Sequence, residues 1–246
     1  LDSARRTETR GMNAPHNAMI LAAGRGTRMR PLSDHTPKPL IEIAGHSMLD
    51  RMLDRFATME TVVVNAWHLA DQISEAVAKR SVPSIRLSRE AELLDTGGGV
   101  VHALPLLGNE AFFVANGDVL LTEPGRTAVE SLVQSWDDTR MDALLLLVPG
   151  ERAGGFRGAG DFFMDEEQHL TRRGSAATAP WVYASIQIVH PRLLDDAPAG
   201  PFSFNLLWDR ALSSGRLFGV VHDGGWFTVD TPGNITTAEA WLAETP

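Results

Sequence analysis

The sequence predicts an α/β protein with a mixed, mainly parallel sheet covered by helices on both faces. Three observations carry this. The run Ala18-Met19-Ile20-Leu21-Ala22 is continuously apolar rather than alternating, as a strand buried on both sides requires, and further runs rich in β-branched or aliphatic residues recur along the chain. Segments with apolar residues at three- and four-residue spacing separate them. The 246 residues, 43% of them hydrophobic, are enough to bury a core of that size. Strand, helix, strand in alternation implies parallel pairing, because a parallel crossover needs a connection long enough to hold a helix.

Residues 1–16, polar and basic around Arg5, Arg6 and Arg10, are expected to form a flexible extension, and 17–246 a single domain. No apolar run of signal-peptide length follows the extension, because 19–23 is too short. The first strand is expected at 19–21, ending in Gly24 and Gly26. Met48, Leu49, Met52, Leu53 and Phe56 then recur on one helical face. A strand at 61–65 and a helix through Leu69, Ile73 and Val77 come next, then strands at 84–87 and 111–115. Between those two strands Gly97-Gly98-Gly99 is expected to turn the chain. Val129, Leu132, Val133 and Trp136 mark a further helix, and 143–148 a further strand. From Pro149 to Pro180 the rhythm breaks into glycine, acid and arginine, which suggests a loop or short hairpin insertion. Strands at 182–189, 217–221 and 226–229 flank a helix through Leu206, Leu207, Arg210, Ala211 and Leu212. A closing helix is expected to begin near Thr231-Pro232, where proline suits the first turn.

A formal charge of −9 argues against a protein that tracks a nucleic-acid backbone, which needs a basic face. The absence of cysteine excludes disulfides, thiolate catalysis and cysteine-ligated metals. Eight histidines show no His-x-His or His-Glu-x-x-His spacing, which argues against a histidine zinc site. No stretch approaches the roughly 20 apolar residues of a membrane span, and the cytoplasm is the expected compartment.

The chemistry is concentrated near the beginning. A buried strand running into Gly24 and Gly26 lets backbone amides approach an anion closely. Arg28 supplies a planar fork and Lys38 a point charge in a loop stiffened by Pro37 and Pro39. As an exposed loop charge, Lys38 is expected to add little to stability. Two rival phosphate motifs fail at specific residues. A dinucleotide fingerprint needs glycine where Met29 stands, and the Gly-Lys-Ser/Thr of a Walker loop is missing.

The run Leu21-Ala22-Ala23-Gly24-Arg25-Gly26-Thr27-Arg28-Met29-Arg30-Pro31-Leu32, with Pro37-Lys38-Pro39-Leu40 downstream, resembles the signature of the sugar-1-phosphate nucleotidyltransferases. Leu94-Asp95-Thr96-Gly97-Gly98-Gly99 and Asn116-Gly117-Asp118 follow in the family's order. The likeness is greatest to N-acetylmuramate-1-phosphate uridylyltransferases and mannose-1-phosphate guanylyltransferase-like proteins. It implies a Rossmann-like fold of the nucleotide-diphospho-sugar transferase type. It also implies transfer of a nucleoside monophosphate from UTP or GTP to a sugar 1-phosphate, with release of pyrophosphate. A non-catalytic sugar-nucleotide-binding protein is the remaining alternative.

Residue by residue, the resemblance gives Arg28 and Lys38 catalytic roles. It places Ala22, Ala23, Gly24, Gly26, Thr27, Thr96, Gly97 and Gly98 on the nucleotide, the glycine run admitting the flat base. Glu92, which as a carboxylate only accepts hydrogen bonds, suits the N–H groups of uracil or guanine. Asn116, Tyr183 and Asn205 are candidates for sugar hydroxyls. Arg157, with Arg172 and Arg173 as alternatives, is the candidate for the sugar phosphate. Asp118, just after a strand, is a natural ligand for Mg2+, which takes one or two carboxylates plus phosphate oxygens and waters. The family's second metal ligand lies in Trp-x-Asp-x-Gly-Thr, but this chain reads Trp226-Phe227-Thr228-Val229-Asp230-Thr231. Positions 228 and 230 share a face of an extended strand about 6.6 Å apart. Asp230 is therefore expected to replace the missing acid through a local shift, the alternative being a cap on the last helix.

Overall fold

The computed structural model describes residues 14–245, so residues 1–13 of the expected extension lie outside it. The strands run β1 (Asn17–Leu21), β2 (Glu42–Ile43), β3 (His46–Ser47), β4 (Thr61–Ala66), β5 (Ile85–Arg89), β6 (Phe112–Asn116) and β7 (Val119–Leu121). Then follow β8 (Ala143–Pro149), β9 (Ala153–Gly154), β10 (Phe162–Met164), β11 (Leu170–Arg172), β12 (Trp181–Val189), β13 (Leu217–Val221) and β14 (Trp226–Thr228). The α-helices are α1 (Met48–Arg55), α2 (Ala70–Ala78), α3 (Asp95–Leu107), α4 (Ala128–Ser135), α5 (Asn205–Ser213) and α6 (Asn234–Glu244).

The parallel strands β6, β1, β4 and β5 form the heart of the main sheet, with β1 between β6 and β4. Antiparallel β12 extends it beyond β6 and also pairs with β8, while the β10–β11 hairpin makes the far edge. Side chains of β1 alternate between two cores, which is why Ala18 to Leu21 are all apolar. Ala18 and Ile20 belong to the core that includes residues of α1, α2 and α4, whereas Met19 belongs to the one that includes residues of α3 and α5. Among the described residues no helix is long and apolar enough to cross a membrane.

A third, smaller core decides the site. Met29, Ile41, Ile43, Leu120, Phe227, Val229 and Ala238 pack together, joining the β2–β3 hairpin, the β7–β14–β9 sheet and α6. β7 and β14 are antiparallel, with Thr228 opposite Val119. The chain just before β7 and the chain just after β14 therefore emerge at the same end. Those segments carry Asp118 and Asp230.

Two elements differ from the sequence expectation. Gly97, Gly98 and Gly99 lie in the first turns of α3 rather than in a turn of their own. A Cβ at Gly97 would stand 2.3 Å from the Phe202 ring, and one at Gly98 2.4 Å from the Gly200 carbonyl oxygen. The glycines serve close packing of α3 against the 200–204 segment, which no local pattern reveals. The closing helix begins at Asn234, not at Thr231-Pro232. The Asn234 Oδ1 accepts from the Thr231 backbone N–H and hydroxyl, and that turn occupies 231–234.

Candidate active site

In an open α/β sheet, ligands collect beyond the carboxyl ends of the strands where neighbouring connections diverge. Here that point is the end of β1, flanked by β4 and β6. A cleft of about 420 Å³ opens there, walled by Ala22, Ala23, Gly24, Gly26 and Thr27 on one side and by Leu93, Asp95 and Thr96 on the other. Gly26 adopts a left-handed conformation, φ 61°, and a Cβ on it would lie 3.0 Å from the Lys38 Cβ. Glycine at 26 thus solves two problems, the turn and the passage of the lysine stem.

Lys38, in the short 3-10 turn Lys38–Leu40, is buried, against the expectation of an exposed loop charge. The Pro37–Pro39 frame points it inward, where its Nζ donates to Asp118 Oδ2 at 2.7 Å and to Asp230 Oδ1 at 3.0 Å. Burial opposes its charge, but the Asp118 and Asp230 carboxylates outweigh that and hold its pKa above the usual lysine range. Arg28 closes the cluster as a fork, with Nη1 3.1 Å from Asp230 Oδ2 and Nη2 3.1 Å from Asp230 Oδ1. Asp230 thus meets the two cations and does not cap α6, whose N-cap residue Gly233 offers no side chain. Thr228 is buried in β14 opposite Val119 and lines the cavity next to the cleft, without a carboxylate to offer.

Asp118 and Asp230 present hard oxygen donors gathered on one cation. A divalent ion that takes one or two carboxylates and completes its shell with phosphate oxygens and water would find both carboxylates in this pair. The donor set fits Mg2+.

A second cavity, about 340 Å³, adjoins the cleft and shares Arg28, Asn116, Asp118 and Asp230 with it. Its far wall includes Tyr183, Asn205, Arg172 and Trp208. An irregularity in the β8–β12 pairing between Tyr183 and Gln187, with Ser185 at φ 67°, brings Ser185 into this cavity. Burial drives the Tyr183 phenol far above its ordinary pKa, so it stays protonated.

Some sequence candidates lie elsewhere. The Gly97 and Gly98 amides both donate to the Phe202 carbonyl oxygen, at 2.9 and 3.2 Å, and are spent on packing rather than offered to a base. Glu92 is exposed and stands outside the cleft lining, because the chain turns inward only at Leu93. Arg157 is exposed and lines neither cavity, whereas its neighbour Phe156 lines the second. Arg173 ties its own loop by donating to the Gly160 and Ala176 carbonyls. Of the three arginine candidates, Arg172 is the one in the cavity wall.

Sequence reasoning missed Asn65 and Glu90. Asn65, at the end of β4, accepts the Ala22 N–H at 2.7 Å and donates to Glu90 Oε1 at 2.6 Å. Glu90 also accepts the Leu94 N–H, so one relay fixes both walls of the cleft. A Cβ at Gly99 would come within 2.9 Å of both Asn65 Nδ2 and Glu90 Oε1, which accounts for the third glycine. A polar residue ending an apolar strand was the available signal. Asn65→Ala leaves the buried Ala22 amide and the Glu90 carboxylate short of a partner. Urea denaturation should show a loss of about 1–3 kcal/mol. Steady-state kinetics should show a raised KM for the nucleotide with a smaller change in kcat.

Two cavities that meet at an Arg–Lys–Asp–Asp cluster, beyond the carboxyl ends of a mainly parallel sheet, define a nucleotidyltransferase. The chain belongs to the MobA-like NTP transferase family, whose profile matches residues 18–212. It is 42% identical over 238 residues to N-acetylmuramate alpha-1-phosphate uridylyltransferase from Caulobacter vibrioides, covering 94% of this chain and 98% of that protein. It is 34% identical over 232 residues to the protein of the same name from Neisseria meningitidis serogroup B, covering 91% and 96%. HddC from Yersinia pseudotuberculosis, solved as a complex with GMP-PN, shares the fold with a TM-score of 0.74 at 21% identity, covering 92% of this chain and 99% of that one.

Proposed function

We propose that this protein transfers a uridylyl group from UTP to N-acetylmuramate 1-phosphate, forming the UDP-sugar and releasing pyrophosphate in the cytoplasm. The observation that carries the reading is the junction itself. The cleft and the second cavity share Arg28, Asn116, Asp118 and Asp230, so a triphosphate in one and a sugar phosphate in the other would meet there. The full-length similarity to two N-acetylmuramate alpha-1-phosphate uridylyltransferases supports the choice of substrates.

No general base is required. A phosphate monoester is already an anion at neutral pH, its second pKa being about 6. The protein therefore has to align the acceptor oxygen with the α-phosphorus and offset the charge that develops. Lys38 is placed to neutralise the phosphates near the α-position. Arg28, whose side chain is 71% exposed, is free to swing from Asp230 onto the departing pyrophosphate. Gly24 leaves open space where a side chain would otherwise stand against the phosphates. Asp118 and Asp230 would hold Mg2+, which when bound supplies further positive charge at the phosphoryl centre. Asn116, Tyr183 and Asn205 contribute to the sugar side.

The test is a pyrophosphate-release assay pairing UTP, GTP, CTP, dTTP and ATP with a panel of sugar 1-phosphates. UTP with N-acetylmuramate 1-phosphate is expected to exceed every other pair in kcat/KM by about tenfold or more. GTP with mannose 1-phosphate in first place would replace the reading with a guanylyltransferase. Release from no pair, with a UDP-sugar still bound, would replace it with a non-catalytic binder.

A further inference from the structure

Arg28 and Arg172 are the guanidinium groups in the lining of the second cavity, and they stand at different ends of it. Arg28 belongs to the junction with the nucleotide cleft, whereas Arg172 lines the second cavity alone. Arg172 ends β11, and the sheet order β11–β10–β12–β6 puts three inter-strand steps between it and the strand that ends in Asn116. Those steps amount to about 14 Å. A sugar phosphate at the junction lies beside Asp118 and Asp230, where the Lys38 ammonium that bridges them is its cation, and Arg172 faces the far side of the sugar ring.

The guanidinium is held rigidly. Its Nε and Nη2 donate to Asp209 Oδ1 at 2.9 and 2.8 Å, Nη1 to Asn205 Oδ1 at 2.9 Å, and Nη2 to the Asn205 carbonyl at 3.2 Å. It lies over the Phe162 and Trp208 rings, 5.1 and 5.5 Å from their centroids. Four of its five N–H groups are spent on this frame, which leaves one on Nη1. The nearby acid of the same wall, Asp161, is engaged by the Tyr183 backbone N–H at 2.9 Å. Asp209 pairs with one edge of the guanidinium, and the N–H left on Nη1 belongs to a charged donor, for which an anionic acceptor makes a stronger bond than a hydroxyl.

We propose that Arg172 recognises a carboxylate carried on the sugar ring and thereby selects an acidic amino-sugar 1-phosphate over its neutral counterpart. The inference rests on the uridylyltransferase reading and deepens it, because N-acetylmuramate is N-acetylglucosamine bearing a lactyl carboxylate.

The test measures kcat/KM with UTP for N-acetylmuramate 1-phosphate and N-acetylglucosamine 1-phosphate in the wild type, R172M and R172K. In R172M the loss on the acidic sugar should exceed the loss on the neutral one by about 10- to 100-fold, through KM rather than kcat. R172K keeps the charge and stem but loses the planar fork, and should shift the same ratio by a smaller factor. If R172M fails to fold, R172K decides. Equal losses on both sugars would make Arg172 a structural or phosphate-binding group, and no loss on either would remove it from recognition; both overturn the inference while leaving the reaction intact. A wild type that uses neither sugar with UTP overturns the parent reading and this one together.

Discussion

Lys38→Met is expected to lower kcat by about 10²–10³-fold or more, with the fold retained. The ammonium is aimed at the junction of the two cavities by a short proline-framed turn, so it is already in place when charge develops on the transferring phosphate. Losing one such pre-organised donor has an effect of this size. Methionine preserves the stem that packs against Gly26 and removes only the charge. Because Lys38 is buried between Asp118 and Asp230, the substitution also brings two carboxylates face to face. Both are partly exposed, 30% and 25% by side chain, so the stability loss should stay below that of a fully buried broken ion pair, at about 1–3 kcal/mol. The Lys38 pKa is raised, so the stabilisation it provides is complete through neutral pH. It should disappear only as strongly alkaline pH passes the raised value. Single-turnover kinetics with chemical denaturation separates the two effects. Near wild-type turnover in the folded variant would remove Lys38 from the mechanism.

Asp230→Asn should reduce kcat by about 10²-fold or more, while Thr228→Val should stay within a few-fold of wild type. The asparagine keeps the shape of Asp230 but drops the charge that draws Lys38 and Arg28 together and that fits a Mg2+ ligand. Thr228 instead lies within β14, opposite Val119, where it lines the second cavity but offers no carboxylate, and valine keeps its shape and suits the strand. Isothermal titration with Mg2+ in the presence of a nonhydrolysable triphosphate provides a second readout, with weakened binding expected for Asp230→Asn alone. Loss of activity in Thr228→Val but not in Asp230→Asn would return the second acid's role to position 228.

The parallel core was readable because strands buried on both faces must be apolar where they cross the core, and the runs at 19–21, 62–64 and 111–115 are. The Gly24–Gly26 loop and the charges at 28 and 38 were equally legible, since close anion approach restricts residue type at each position. Other features were not. Gly97 to Gly99 look like a turn in one dimension, and only Phe202, Gly200, Asn65 and Glu90, brought up by other segments, explain them. Arg157, Arg172 and Arg173 are indistinguishable as letters. The β10–β11 hairpin alone selects which one enters the cavity. The same holds for Glu92, exposed two residues beyond the buried Glu90.

Local chemistry along the chain thus determined the sheet, the phosphate loop and the class of reaction, because backbone geometry and charge type are properties of short segments. The tertiary structure alone decided that Asp230 joins Asp118 and that Lys38 is buried between them. That outcome depends on antiparallel pairing of β7 with β14, strands about a hundred residues apart, and on the small apolar core that locks them together.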